Sequence, residues 1–585
     1  MDYALVAVLG VVVVVVTAAF SRKLGVAAPL LLVLVGIGYS FIPGVPEIEI
    51  EPDIILMGVL PPLLYAAAIT VPVVDFRRNF ASISALSVLL VVVSALVTGF
   101  VLFAVLEDLN LGAAIALGAV ISPTDVVAAT AIAKRLGLPP RLVSILEGEG
   151  LVNDATALVM LRTAIAAAGL AASGEFNGWS VVGDFVYAVV VALVIGLIVG
   201  VVSVFIRRKL DEPILDTAIS FAVPFIAYIP AEELHASGVI AVVAAGLYSG
   251  HRSAHFSPQS RISERFNWRT LQFVLENGVF LLMGAQLAGI VQGVHAEELP
   301  AHHAVLLGLL AAGILMGLRF LFVWPLLLVV RRGERRAISR FERLSGMIDR
   351  FRPRARAGRA DGDARRQERF ELAVTRRQND IHTVEAEGLD ARGTIVIGWA
   401  GMRGVVTLAA AQSLPRETPY YEQLVLIAFT VAIATLLIQG GTLPLVIRLT
   451  KIRGTDRVAD RRELAELLDD MAAAGIEALE NPDFELPNGQ KVDWHVLERV
   501  RQDTLIASQA AWERAEHADS DDGILDSPHQ QYRDLRREVL QAERAVLLEA
   551  RSRGSYPSRI LTRAQTLLDL EEARLEQMDT GGRVE

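Results

Sequence analysis

The chain has 585 residues, 53% of them hydrophobic and only 21% charged, with a mean hydropathy of +0.45. A single soluble core cannot bury that much apolar surface, and soluble domains carry about 25% charged residues, so a soluble enzyme and a disordered scaffold are both excluded. The net charge of −10 comes from the part after Thr450, which holds 19 basic and 29 acidic residues, and the absence of cysteine removes disulfides, thiolate metal sites and thiol nucleophiles.

A bilayer crossing takes about 20 mostly apolar residues. Apolar windows between charge breaks predict about 13 spans, running Tyr3 to Phe20, Val26 to Ile42, Ile54 to Val74, Phe80 to Leu106, Leu111 to Ala133, Leu142 to Ala172, Trp179 to Ile206, Ile214 to Pro230, Ser237 to Gly250, Trp268 to Gly293, His303 to Val330, Thr394 to Leu414 and Gln423 to Thr450. The first is not read as a cleaved signal, because nothing basic precedes it and Arg22-Lys23 follow it. Basic loops at Arg22/Lys23, Arg77/Arg78, Lys134/Arg135/Arg141, Arg207/Arg208/Lys209 and Arg252/Arg261/Arg265 all fall on one side, and the opposite loops are acidic. The positive-inside rule then puts the N-terminus outside and the C-terminal tail in the cytoplasm.

The expected fold class is an all-α polytopic membrane protein of the cell membrane, with about thirteen transmembrane helices and a cytoplasmic helical tail. Residues 1–330 hold spans one to eleven, 331–393 an insertion, 394–450 spans twelve and thirteen, and 451–585 the tail. The insertion from Arg331 to Arg392 carries 17 Arg, 11 acidic residues and no Lys, with helix breakers at Pro353 and Gly358 to Gly362. It reads as a solvated basic connector near anionic lipid headgroups. The tail reads as amphipathic helices, with stripes at Leu464/Leu467/Leu468/Met471 and Leu535/Val539/Ala542/Leu547, interrupted at Asn481-Pro482 and near Asp519 to Asp522.

An ionisable residue inside a span costs a few kcal/mol or more, so each one demands a partner, a wet cavity or a transport role. The windows contain Asp125, Glu147, Glu149, Asp154, Arg162, Asp216, Glu276, Arg319 and Arg403, with Asp216 near a boundary. Asp125 follows Pro123 in Ser122-Pro123-Thr124-Asp125. A mid-span proline frees backbone carbonyls that only protein or a cavity can satisfy, and a break beside a carboxylate makes a cation site. The bland alternative is a proline kink with Asp125 capping the second half-helix. In the next span Gly150 lies one turn from Asp154, while Glu149 shares a different face with Asn153. Near the end, Gly398, Gly401 and Gly404 surround Arg403, which suggests a second broken helix and an inverted repeat of the fifth span.

Leu60-Pro61-Pro62-Leu63-Leu64-Tyr65, Ser122-Pro123-Thr124-Asp125, Glu149-Gly150-Leu151-Val152-Asn153-Asp154-Ala155-Thr156, Glu276-Asn277-Gly278-Val279-Phe280 and Gly401-Met402-Arg403-Gly404 occur in this order. Together they resemble the sodium/proton antiporters of the NhaP/NHE type, from Asp2 to about Thr450. That resemblance implies a homodimer whose protomers exchange Na⁺, or Li⁺ or K⁺, for H⁺ by alternating access. It makes Asp154 the principal ion carboxylate, Asp125 a neighbouring acid and Thr124 a carbonyl ligand, with Asn153 as in the electroneutral branch. Na⁺ is then held by Asp154 and Asp125. It also implies that Glu149 pairs with Arg403, with Arg319 near the same pair, and leaves Glu276 as a further intramembrane candidate. Two positions depart from the pattern: Ala66 and Gly150 stand where oxygen ligands are common. Water, Ser122 or Thr156 are the expected replacements.

The expected partners are monovalent cations, protons, membrane lipids and a second copy of the chain, with no nucleic acid and no cofactor. No Ser/His or metal-ligand grouping lies at membrane depth, so transport rather than enzymatic catalysis is expected. The rivals are a cation channel or symporter using the same acids, and a membrane sensor signalling through its tail.

Overall fold

The computed structural model describes residues 2–24, 26–43, 48, 50–173, 178–210, 212–294, 299–350, 390–452, 454, 457–480, 493–516, 528–553 and 557–580. Two compact units divide the chain, Met1–Ile452 and Arg453–Glu585. Both are helical, with no strand among the described residues.

In the first unit a helix occupies every predicted window. These are α1 (Asp2–Leu24), α2 (Ala28–Ser40), α3 (Leu60–Thr70, continuing a π turn at Ile54–Val59), α4 (Phe80–Val105), α5a (Leu111–Ile121), α5b (Val126–Arg135), α6 (Pro140–Ser173), α7 (Gly178–Arg207), α8 (Pro213–Glu233), α9 (Gly238–Arg252), α10 (Pro258–Ala285), α11 (Ala301–Arg350), α12a (Ala391–Trp399), α12b (Val405–Gln412) and α13 (Tyr421–Thr450). Seven segments, within α4, α6, α7, α8, α10 with its extension to Gly293, α11 and α13, are long and apolar enough to cross a membrane, and shorter apolar helices accompany them. The chain is thus a multi-pass membrane protein.

Helices touch where side chains are absent. A Cβ on Gly36 of α2 would lie 2.3 Å from the Leu281 carbonyl of α10, and one on Gly284 equally close to the Val33 carbonyl. Without a hydrophobic drive between helices in lipid, such backbone contact is a main source of packing energy.

The insertion begins as a helix, which its residues before Pro353 permit. Helix α11 runs through Arg350, well past the apolar limit at Val330, because arginine is a good helix former and charge ends a membrane window without ending a helix. The Pro353 and Gly358 to Gly362 breakers lie outside the described residues.

The second unit contains two helical hairpins, α14 (Arg457–Glu480) with α15 (Trp494–Glu516), and α16 (Pro528–Arg553) with α17 (Ser558–Thr580). The seam of the first is built from Ala465, Ala511 and Ala515, with Ser508 donating to Asp469 at 2.9 Å. Of the expected stripes, Leu468 packs on this seam, whereas Leu464, Leu467 and Met471 are exposed, as are Leu535 and Val539, while Leu540, Leu561 and Leu575 are buried. Small residues allow closer helix approach, and Leu468 and Trp512 pack against the alanine seam. The tail breaks expected at Asn481-Pro482 and Asp519 to Asp522 lie outside the described residues.

Candidate functional site

Helices α5 and α12 are both interrupted, at residues 122–125 and 400–404, and the two breaks meet. The Asp125 amide donates to the Met402 carbonyl at 2.7 Å, a backbone bond between the two unwound strands. Gly404 makes the approach possible, since a Cβ there would lie 2.3 Å from Asp125 Oδ2. Gly404→Ala therefore overpacks the crossing, a change that costs about 1–3 kcal/mol. Lower thermal stability and loss of transport are expected, whereas Gly313→Ala, with nothing within 4 Å of its Cβ, leaves both unchanged.

Asp125 takes the capping role that was one of the two readings offered for it. Its Oδ1 accepts from the Val127 amide at 2.8 Å and caps α5b, while Oδ2 faces Gly404 across the crossing. The cap satisfies one orphan amide at the start of the half-helix.

Helix α6 supplies the other half of the site. Asn153 Nδ2 donates to the Thr124 carbonyl at 2.7 Å and to its Oγ1 at 3.0 Å, and Thr124 Oγ1 donates to Glu149 Oε1 at 2.8 Å. Glu149 and Asn153, one turn apart, thus clamp the unwound Thr124 from one face of α6. Asp154 points elsewhere and is partly exposed, as is Asp125, whereas Glu149 and Asn153 are each only 1% exposed. Among the described residues, no basic side chain pairs with Asp154 or Asp125.

The arginines divide differently from expectation. Arg319 of α11, not Arg403, holds Glu149: Nη2 donates to Oε2 at 2.9 Å and Nη1 makes a shorter bond to Oε1. Its Nε also donates to the Ile397 carbonyl, 2.9 Å away near the end of α12a. Arg403 instead donates through Nε to the Ile121 carbonyl at 3.2 Å, at the end of α5a, and through Nη1 to the Gly401 carbonyl. Each guanidinium therefore meets the carbonyl end of one half-helix, where the helix dipole favours positive charge. Arg403 bonds backbone oxygens, and the ion pair with Glu149 is made by Arg319.

The remaining intramembrane charges have other hydrogen-bond and ion-pair partners. Glu147 pairs with Lys134 at 2.7 Å, and Arg162 with Glu232 at 2.5 Å. Asp216, in the first turn of α8, is 1% exposed and bound by Arg207 Nε at 2.7 Å and Nη2 at 2.9 Å. Arg207 also reaches Glu264 at 2.8 Å, and Ser220 bridges Glu264 to Trp268. Sequence reading missed this cluster because Arg207 and Glu264 sit at window edges. Glu276 accepts from Gln272 Nε2 at 2.6 Å on α10 and lies within electrostatic reach of Asp125. Ser122 and Thr156 donate to the carbonyls of Gly118 and Val152 on their own helices, which leaves hydroxyl lone pairs free to face a cation.

Residues 10–449 match the family model described as sodium/hydrogen exchanger, transmembrane. The chain is 28% identical over 575 residues to a Mycobacterium tuberculosis protein named an uncharacterized Na⁺/H⁺ exchanger, covering 97% of this chain and 95% of that one. It is 27% identical over 439 residues to a Bacillus pumilus protein named a sodium, potassium, lithium and rubidium/H⁺ antiporter, covering 72% of this chain and 58% of that one. In structure it is similar to the sodium proton antiporter MjNhaP1 of Methanocaldococcus jannaschii, with a TM-score of 0.55 at 16% identity, covering 77% of this chain and 99% of that one. The family match runs from within the first predicted span to the end of the last, and this chain belongs to the sodium/hydrogen exchanger family.

Proposed function

We propose that the protein is a secondary active antiporter exchanging Na⁺, with Li⁺ or K⁺ as further cargo, for H⁺ across the cell membrane, at a site formed by Asp154, Asp125, the Thr124 carbonyl and Asn153. The observation that carries this reading is the uneven neutralisation at the crossing. Glu149 is matched by Arg319, while Asp154 and Asp125 are partly exposed beside two broken helices with no basic partner among the described residues. A bare carboxylate at this depth is costly, so the site holds either a proton or a cation and the two compete for it. If the site helices reorient only when it is neutralised, by either ligand, the exchange is obligatory. A channel, a symporter and a tail-signalling sensor are not favoured by the family to which the chain belongs.

On this proposal the antiport is electroneutral, because Asn153 rather than a second acid adjoins Asp154 and one carboxylate carries one charge in either direction. Imposing a membrane potential with valinomycin and K⁺ is then expected to leave the Na⁺-driven exchange rate unchanged. A strong dependence on that potential would show that a second group, Asp125 first among them, exchanges its proton too. The working unit is proposed as a homodimer with its N-terminus outside and both the insertion at 331–393 and the tail at 451–585 in the cytoplasm. The arginine excess of the loops on that side supports this orientation.

A further inference from the structure

Helix α13 lies along the whole interrupted α12. Trp399 Nε1 donates to Thr442 Oγ1 at 2.9 Å, and the Arg403 amide donates to Thr435 Oγ1 at 3.0 Å, so Thr435 and Thr442 both face α12. Gln439 stands between them at i+4 and i+7 spacing, on the same face. A Cβ on its neighbour Gly440 would lie 3.4 Å from Leu30 Cδ2 of α2 and 3.5 Å from Met402 Sδ, which puts this stretch of α13 beside α2 and the side chain of Met402 in the unwound 400–404 segment. Here α13 also changes its winding, with a π turn over Leu436–Gly440, a feature frequent at functional sites.

Gln439 is 0% exposed, and among the described residues neither Oε1 nor Nε2 has a hydrogen-bond partner. A buried carboxamide in that condition calls for a physical reason. Leucine or methionine would fill similar space; the amide adds one acceptor and two donors. The strand opposite has complementary needs. Its Met402 carbonyl is occupied by the Asp125 amide, and the Gly401 carbonyl by Arg403. The amides of Gly401 and Met402 donate to no other backbone group among the described residues.

We infer that Gln439 is a positioning residue of the exchange cycle: its carboxamide is a two-way hydrogen-bond seat for the unwound 400–404 backbone, taking up that strand's polar groups as the Asp125 to Met402 bond is made and released. The inference rests on the antiport reading above. Gln439 acts through the α12 backbone, so it governs how fast the site reorients and leaves cation affinity alone.

Wild type, Gln439→Leu, Gln439→Met and Gln439→Glu are compared in proteoliposomes, reading Na⁺-driven proton flux against Na⁺ concentration and pH, with thermal unfolding measured alongside. The leucine and methionine variants are expected to lose roughly fivefold to tenfold in maximal rate, the rate equivalent of about one hydrogen bond. Half-saturation stays within about twofold, the signature of an interaction absent from ground-state binding. Their unfolding temperature is unchanged or raised, because an unpartnered polar group is gone. Gln439→Glu, which keeps an acceptor and, when protonated, a donor, restores the rate at acid pH and loses it as pH rises. Wild-type rates in both apolar variants would overturn the inference, and so would a rise in half-saturation at constant maximal rate, which would make Gln439 a cation ligand. If the leucine variant does not fold, the methionine variant decides. Absence of exchange in the wild type would instead reject the antiport reading itself.

Discussion

Asp154→Asn is expected to reduce cation-driven proton flux, in both directions, to the level of protein-free vesicles while the protein still folds and reaches the membrane. The amide has nearly the same shape but binds no proton and neutralises no cation, so neither ligand can complete the site. Folding survives because the Asp154 side chain is partly exposed and no basic residue depends on it among the described residues. Asp125→Asn is expected to be nearly as severe for transport. Asparagine caps a helix as well as aspartate does, so the Val127 bond persists and the loss reports charge alone. Flux in both directions and circular dichroism of the purified variants check the pair, and exchange at the wild-type rate in Asp154→Asn would remove Asp154 from the site.

The second large effect belongs to Glu149 and Arg319. Both are 1% exposed, and the guanidinium grips both carboxylate oxygens. Removing one member of a buried pair leaves the other charge uncompensated, at a cost of about 3–5 kcal/mol. Glu149→Gln and Arg319→Gln are each expected to lower the unfolding temperature and the exchange rate together, because Thr124 hangs from Glu149 and Arg319 holds the end of α12a. The double variant regains stability relative to either single one. A double-mutant cycle on thermal unfolding measures this coupling, and Arg403→Gln serves as the comparison: its coupling to Glu149→Gln is expected to be smaller than that of Arg319→Gln, because Arg403 hydrogen-bonds backbone oxygens and not the Glu149 carboxylate. Strict additivity for Glu149 with Arg319 would show that they are not partners.

The parts of this arrangement visible in the sequence share one property: they stand out against an apolar background. Pro123 in mid-span announces the α5 break, and Gly398, Gly401 and Gly404 announce the α12 break. The face shared by Glu149 and Asn153 follows from helical period alone, and both do reach Thr124. What period cannot supply is which helix lies opposite. Glu149 and Arg319 are 170 residues apart, and two arginines were equally available. The choice between them depends on which carbonyl end each guanidinium caps, a property of the assembled crossing. Arg207 and Glu264, the partners of Asp216, escape a sequence reading for a related reason. Charges at window edges look like loop charges, yet this cluster is almost wholly buried. Gln439 carries no charge and leaves no mark on a hydropathy profile; only its burial without partners makes it visible.

The most direct test of exchange at an intramembrane carboxylate site uses the purified full-length protein in liposomes containing a pH-sensitive dye. Na⁺, Li⁺, K⁺ and Ca²⁺ are added outside in turn, with Asp154→Asn as the control. Na⁺, Li⁺ or K⁺ added outside is expected to alkalinise the lumen, a cation gradient running outward to acidify it, Ca²⁺ to give no response, and Asp154→Asn to give no response to any of them. Cation uptake without any counterflow of protons, or proton flux that persists in Asp154→Asn, would contradict it.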